Sequence, residues 1–247
     1  MLFIYGTCYN NADVIEMSLN SIEKLNYEKI FITDNFSNDG TYEILNRIKN
    51  RFRIEIIQYK SKRGSGKQKS MEMAMNEAND CDYIMTIDFD TKYDPNLILF
   101  INDTIKDKHE KCIFNNFLSL KALNKNVPWR NLNHGEDWER YAHFIQCGVN
   151  LRFKNEKNIN QVVAGNREKR YEIGIKLYIR RYKNAIDFQR GWCFKSFNSF
   201  YKRYKKQNII IKIVAFSAYI IANIEGTYCY CNSMNNREYI RLNSTSS

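Results

Sequence analysis

The sequence predicts an α/β protein: a mostly parallel, doubly wound sheet with flanking helices and a helical carboxyl-terminal extension. Three observations carry this reading. Short β-rich runs alternate with stretches of helical apolar spacing through the first half of the 247-residue chain. Each early run ends in a cluster of small, polar or acidic residues, the place where an open α/β sheet presents side chains to a ligand. The excess positive charge lies in one region near the carboxyl end.

The elements follow in order. Leu2 to Tyr5 reads as a strand, ending in the cluster Thr7 to Asn11, and Asp13 to Leu25 has helical spacing. A second strand, Lys29 to Thr33, leads into Asp34 to Thr41 and a helix from Thr41 to Arg51. Arg53 to Gln58 is the third strand, followed by Lys62 to Gly66 and a helix from Gly66 to Ala78. The fourth, Tyr83 to Ile87, delivers Asp88-Phe89-Asp90. A helix is expected after Pro95, because proline suits the first helical turn, and a strand at Lys111 to Phe117. Ser119 to Gly135 is polar and Asn-rich, and reads as a loop and candidate lid. Glu136 to Cys147 returns to helical spacing, with Gly148 placed as a left-handed cap and a strand expected at Val149 to Phe153. Beyond about Glu168 the chain reads as helical and basic, then apolar from Ile209 to Ile224, then polar from Asn243 to Ser247. The expected division is a domain of residues 1–165 carrying the clusters and a basic extension of residues 166–247.

A hydrophobic content of 44% allows a substantial core and excludes a disordered chain. The cysteines at 8, 81, 112, 147, 193, 229 and 231 are odd in number and form neither a Cys-x-x-Cys pair nor a zinc-spaced Cys/His group. They read as reduced thiols of a cytoplasmic protein. The apolar start, Met1 to Gly6, is too short for a signal-peptide core. Net charge is +11, and residues 151–207 hold sixteen Lys/Arg against four Asp/Glu, a net of +12 that leaves −1 for the rest. A phosphate-bearing partner is expected to meet that region.

Two carboxylates one residue apart at a strand end form an address for a metal-bound phosphate. Oxygen ligands in small number suit Mg²⁺ or Mn²⁺, which keep part of their water shell. An Asp-x-Asp triplet arises readily by chance in a chain with 27 acids. Its weight comes from four strand-end clusters meeting at one sheet edge.

The order of these clusters also matches a family. Asp34-Asn35-Phe36-Ser37-Asn38-Asp39-Gly40-Thr41 resembles the "VDNGSTDGT" segment of inverting nucleotide-sugar glycosyltransferases, the GT-A fold of glycosyltransferase family 2. Thr7 to Asn10, TCYN, is similar to that family's opening "PTYN", and Gly66 with its helix looks like its glycine-containing third segment. Asp88-Phe89-Asp90 falls where its DxD motif belongs, and His134-Gly135-Glu136-Asp137-Trp138-Glu139 resembles its acceptor-side "GED". The resemblance covers roughly residues 2–153.

The resemblance implies a nucleotide-sugar donor, UDP- or GDP-linked, and single displacement with inversion. Asp90 is the implied first metal ligand, with Asp88 assisting or contacting the ribose. Asp34 and Asp39 are implied to contact base and ribose, Arg63 to reach the base, and Thr7 and Gly66 to line the donor side. Asp137, at a helix start where the macrodipole favours negative charge, is the implied general base, with Glu136 as the neighbouring alternative. His134 is a weaker candidate for contact with metal or phosphate. Trp129 and Trp138 are either sugar-stacking rings or core. The chain departs from the family pattern at Thr91, which stands where a third acid is common. Phe36 stands at a usual glycine, and Lys67 and Lys69 at positions usually small. Gln189-Arg190-Gly191-Trp192 lacks the spacing of "QxxRW" in processive synthases, so transfer of one sugar is expected.

Lys202, Arg203, Lys205 and Lys206 directly precede the apolar run Ile209 to Ile224, which is short of a membrane-spanning length. Two readings stand: a helix lying in the interface of an anionic membrane at its cytoplasmic face, or a helix packed on the core. Arg167, Lys169 and Arg170 fit an anionic acceptor such as a lipid phosphate, beside glycan, protein and other lipid-linked acceptors. Tyr178, Tyr182, Tyr201 and Tyr204 among the basic residues make nucleic acid the rival partner, ranked lower for want of a nucleic-acid module. Nucleotidyl transfer, on Gly64-Ser65 ahead of Asp88 and Asp90, and a non-catalytic binding protein on the same fold are the alternative functions.

Overall fold

A computed structural model describes residues 1–107, 112–113, 117–149, 151–152, 160–162, 175–192 and 197–226. The first half runs β1 (Leu2–Cys8), α1 (Ile15–Ser21), β2 (Lys29–Asp34), α2 (Thr41–Ile48), β3 (Ile54–Gln58), α3 (Arg63–Glu77), β4 (Tyr83–Thr86), β5 (Thr91–Tyr93) and α4 (Pro95–Lys106). Then follow β6 (Cys112–Ile113), β7 (Ser119–Leu120), α5 (Lys121–Asn124), α6 (Glu136–Gln146), β8 (Leu151–Arg152), β9 (Asn160–Val162), α7 (Ile175–Trp192), α8 (Phe197–Tyr204) and α9 (Ile209–Glu225). The described residues fall into two compact units, one within residues 1–61, 66–126 and 152–171 and the other within residues 62–65, 127–151 and 172–247. The partition expected at 165/166 rests on composition and charge, whereas these units are defined by packing.

The first unit holds a five-stranded sheet in the order β3-β2-β1-β4-β7. Strands β1 to β4 are parallel, with Phe3 beside Lys29 and Leu2 beside Tyr83, and β7 is antiparallel to β4. Central β1 and β2 are buried along almost their whole length, as near-continuous apolar runs covered on both faces must be. On one face Leu2, Ile4, Ile30, Ile32 and Met85 pack with Leu19 and Ile22, with Leu45 of α2, and with Ile98 and Ile101 of α4. Each such side chain contributes about 1.5–3 kcal/mol by leaving water. Helix α4 starts as expected: Pro95 is in its first turn and the Asp94 carboxylate accepts from Asn96 N at 2.7 Å.

The structure corrects four local expectations. Helix α3 begins at Arg63, not Gly66, because partners outside the helix satisfy its first-turn donors: Gly64 N donates to Leu132 O (2.8 Å) and Arg63 N to Asn133 Oδ1 (3.2 Å). The loop expected over Ser119 to Gly135 contains β7 and the single turn α5, held by Asn124 Nδ2 donating to Ser119 Oγ and Leu120 O. The strand expected at Lys111 to Phe117 is β6 alone among the described residues, and Phe117 sits in a turn at φ 46°. Of the strand expected at Val149 to Phe153, Leu151–Arg152 forms β8, and Val149 is not part of it. Val149 closes α6 in a Schellman motif, with Val149 N donating to Phe144 O and Gly148 N to Ile145 O, Gly148 at φ 75°. Strand β5, unforeseen, follows the acidic triplet at once and pairs antiparallel with β9.

In the second unit α7 packs on α9 through Ala215, Ala218 and Ala222, all buried, and Tyr182 OH donates to Ser217 Oγ at 2.9 Å. Phe200 of α8 stacks on Tyr219 with ring centroids 4.8 Å apart. Among the described residues no helix is long and apolar enough to cross a membrane. Cys8, Cys81 and Cys147 are free thiols. Arg167, Lys169, Arg170, Cys193, Cys229, Cys231 and the segment Asn243 to Ser247 lie outside the described residues.

Candidate active site

The donor-side candidates belong to the first unit. Strand β1 has β2 on one side and β4 on the other, so loops leaving β1 and β4 diverge at the point where the strand order reverses, the usual ligand crevice of such sheets. Asp88 emerges there. Its backbone is clamped: Asp88 N donates to Tyr93 Oη (2.8 Å), and Thr91 N donates to Asp88 O (3.2 Å). Phe89 is buried, Asp90 half-buried, and the Asp88 side chain 60% exposed, so the triplet is anchored by its middle residue and presents Asp88.

Beside Asp88 lies a group that sequence reasoning treated only as a departure. Lys67 on α3 is almost wholly buried, yet its Nζ reaches to 3.6 Å from Asp88 Oδ1. Helical numbering from Gly66 was the available signal, because it puts position 67 in the turn nearest the strand ends. Gly66 itself is required by contact: a Cβ there would stand 2.6 Å from Thr7 Oγ1 and 3.0 Å from Ser61 Oγ. Thr7 Oγ1 donates to Thr33 O (3.1 Å), and Thr33 Oγ1 donates to Gly66 O (3.0 Å), tying β1, β2 and α3 together.

Asp34 is fully buried at the end of β2. Its carboxylate accepts from Ser37 N (3.0 Å), Ser37 Oγ, Gln58 Nε2 (3.4 Å) and Cys8 Sγ (3.6 Å). Burial, then the neighbouring Asp34 carboxylate, pushes the Cys8 thiol well above its usual range and keeps it neutral. Asp39 is exposed, and its oxygens accept from Ala12 N, Thr41 N and Thr41 Oγ1. It therefore fastens the loop after β1 to the start of α2. Phe36, at the family's glycine position, adopts φ 54°, the left-handed backbone that explains the glycine elsewhere.

The acceptor-side candidates belong to the second unit, and there the structure joins Arg63 to Glu136. Arg63 Nη1 lies 3.6 Å from Glu136 Oε1, with the Glu136 side chain 2% exposed. Asp137, one residue on in α6, is half-buried. Gly135 takes φ 80° ahead of the helix, and its carbonyl accepts from Glu139 N. The strap of residues 62–65 is bound to residues 131–133: Ser65 Oγ donates to Asn131 Oδ1 (2.6 Å), beside the two α3 bonds above. Asp187 of α7 clasps both, accepting from Lys62 Nζ (3.0 Å) and Asn133 N (2.9 Å). The pairing of Lys62, in the third strand-end cluster, with Asp187 was not foreseen, since it spans 125 residues. His134, its ring 5.3 Å from Phe188, is held below its usual pKa by desolvation and by Arg63, against the opposing pull of Asp137 and Asp187.

Trp129 is buried, with the Arg140 guanidinium 4.5 Å from its ring, and Trp138 packs beside Phe200. Trp129 is thus a core residue, whereas Trp138 is half-buried. Gln189 Nε2 donates to Tyr204 Oη and Arg190 Nε to Gly226 O, so that stretch serves helix packing.

Among the described residues no three His, Cys, Asp or Glu side chains cluster as a metal cage. Asp88, with its exposed carboxylate, and half-buried Asp90 are instead two neighbouring acids that a hydrated divalent cation would fit.

The mostly parallel sheet and its flanking helices define a GT-A-type α/β fold. The chain belongs to glycosyl transferase family 2, whose profile matches residues 4–238. It is 31% identical over 101 residues to the poly-beta-1,6-N-acetyl-D-glucosamine synthase of Staphylococcus aureus strain MSSA476, and 30% identical over the same length to that of strain COL. These matches span 40% of this chain and 24% of the relative's length. Among solved structures it resembles S. aureus TarS residues 1–349 in complex with UDP-GlcNAc, with TM-score 0.60 and 12% identity over 90% of this chain and 81% of that one. A longer TarS structure matches with TM-score 0.56 and 14% identity, over 90% of this chain and 49% of that one.

Proposed function

We propose that this glycosyltransferase moves one sugar, with inversion, from a nucleoside-diphosphate donor to an acceptor hydroxyl. The observation that carries this reading is the exposed Asp88 carboxylate at the β1/β4 switch point with the buried Lys67 ammonium 3.6 Å away. Breaking the bond from the anomeric carbon to phosphate leaves a diphosphate of growing negative charge, and fixed cations in a poorly solvated place stabilise that charge strongly. Lys67 supplies one such charge. A Mg²⁺ or Mn²⁺ ion held by Asp90 and Asp88 would supply the other, as counter-charge to the same oxygens.

Asp137 is the proposed base: it takes the acceptor's proton as the acceptor oxygen bonds to the anomeric carbon, and the electron pair of the breaking bond leaves on the nucleoside diphosphate. Glu136 is less suited, being buried against Arg63. The turn Thr7 to Asn11, Asp34 and the loop fastened by Asp39 would receive base and ribose. Because Asp34 already accepts four hydrogen bonds, a base N–H would displace the longest of the nitrogen or oxygen contacts, that from Gln58. UDP-GlcNAc is the first donor to try, since TarS was solved with it and the matched relatives are named for an N-acetylglucosamine polymer. The proposed acceptor is a glycan, protein or lipid-linked hydroxyl, or a lipid phosphate.

The test is a panel of UDP- and GDP-sugars, measured for binding and for release of nucleoside diphosphate with Mn²⁺, Mg²⁺ or chelator. Metal-dependent binding and release by the wild-type chain, lost in Asp90→Ala, is the expected result. Absence of binding by every donor under all three conditions would overturn the reading, and transfer of the nucleotide itself would replace it with nucleotidyl transfer.

A further inference from the structure

Helix α9 is apolar over most of its circumference. Asn208 caps it by accepting from Ile211 N at 2.9 Å, and one side, Ala215, Ala218 and Ala222, is buried against α7. The opposite side carries Ile209, Ile213, Phe216, Ile220 and Ile224, spaced four, three, four and four residues apart, so they form a single stripe along the helix. All five are exposed, Ile209 by 67% and Ile224 by 80%. Ile210 and Val214 widen the stripe, and Phe216 meets the exposed Phe197 of α8 edge-on, with Tyr201 stacked beyond it. A soluble monomer seldom leaves so long an aliphatic and aromatic strip in water.

The charge around the stripe says what covers it. Lys202, Arg203, Lys205 and Lys206, all exposed, directly precede α9, and Lys212 lies within it. Between Asp187 and Glu225 the sequence has no acidic residue and seven basic ones. We propose that α8 and α9 form a docking surface for an anionic membrane, with α9 lying in the plane of the interface and its isoleucine stripe inserted. Seventeen residues give a helix of about 25 Å, short of the roughly 30 Å hydrocarbon core, and its alanine side is already occupied by α7. Lying flat is the geometry that remains. Basic residues at the headgroups and apolar ones below them are the two cooperating signals that such anchoring requires. Phe197 and Tyr201 suit the aromatic belt at that depth, and the long stem of Lys212 lets its ammonium reach the headgroups. This inference stands on the second unit alone and is independent of donor chemistry.

The test is flotation of the full chain, without donor or metal, on vesicles of phosphatidylcholine and on vesicles in which a third of the lipid is phosphatidylglycerol. The expected result is binding to the anionic vesicles only, weakened by salt. Ile213→Glu with Ile220→Glu, both at exposed positions, is expected to lower binding at least about tenfold while circular dichroism and melting stay unchanged. Replacing Lys202, Arg203, Lys205 and Lys206 by Gln is expected to lower it by about a hundredfold or more. Indifference of the wild-type chain to anionic vesicles would overturn the proposal, as would full binding by the isoleucine variant, which would mean adsorption by charge alone. A solution dimer that the same isoleucine substitutions dissociate, in a chain that ignores vesicles, would assign the stripe to a second copy instead.

Discussion

Lys67 Nζ and Asp88 Oδ1 lie 3.6 Å apart, although the lysine side chain is 3% exposed and the aspartate 60%. The ammonium is thus held inside while its partner faces the crevice, and a ligand phosphate arriving at Asp88 finds a positive charge already fixed in place. Lys67→Met keeps the stem's bulk and removes the charge. Sugar transfer by this variant is expected to fall about 10²- to 10³-fold in kcat with little change in melting temperature, measured by nucleoside diphosphate release alongside a thermal melt.

Asp137→Asn separates base from metal ligand. If Asp137 removes the acceptor's proton, kcat falls about 10²- to 10⁴-fold while the donor's affinity, read by calorimetry, stays at the wild-type value. Asp90→Ala is expected to lose metal-dependent donor affinity. Equal loss of donor affinity in both variants would contradict the division of labour.

The pKa of His134 reports on Arg63. Desolvation and Arg63 hold it below the usual histidine value, so Arg63→Met is expected to raise it, visible in an NMR titration of the imidazole C–H signals. The sign for stability follows from the depressed folded value. The unfolded chain takes up this proton first as pH falls, so the contribution is complete above about pH 6.5 and is lost as pH drops through the folded value. Wild-type stability should decline on that acid side, and the part due to His134 should shrink in the variant.

Phe36 spends left-handed backbone on an exposed ring. Relief of about 1–2 kcal/mol of steric cost, less about 0.5–1 kcal/mol for the greater freedom of unfolded glycine, predicts that Phe36→Gly gains about 0.5 kcal/mol. That corresponds to a rise of about 1–2 °C in Tm, measured by differential scanning calorimetry.

Gly66→Ala should cost about 1–3 kcal/mol through overpacking, because its Cβ would press on Thr7 Oγ1 at 2.6 Å. Denaturant titration measures the loss. Adding Thr7→Ser, which frees the hydroxyl to turn, is expected to recover part of it.

The parallel strands were readable because strands buried on both faces are apolar along their length, as Leu2 to Tyr5 and Ile30 to Ile32 are. The strand-end acids were readable for a related reason: a polar cluster that interrupts apolar runs at regular intervals is conspicuous. Strand β5 and the turn α5 are only three and four residues long, too short for any periodicity to develop. The start of α3 was hidden because Leu132 and Asn133, nearly seventy residues away, satisfy its donors. The place of Lys67 beside Asp88 was hidden because lysine in a sequence reads as a solvated surface residue, and only packing shows it enclosed.

Asp187 and Gly191 give the basic carboxyl region a part in shaping the turn that carries Asp137. Asp187 holds Lys62 and Asn133, and a side chain at position 191 would come within 2.8 Å of the Gly135 carbonyl, the acceptor of α6's first bond. A chain trimmed to residues 1–165 would keep every acid proposed for catalysis and lose both of these supports. Minimal versions of this protein are therefore to be sought by shortening beyond α7, and the stretch that looks most like an appendage in the sequence belongs to the frame of the turn ahead of α6.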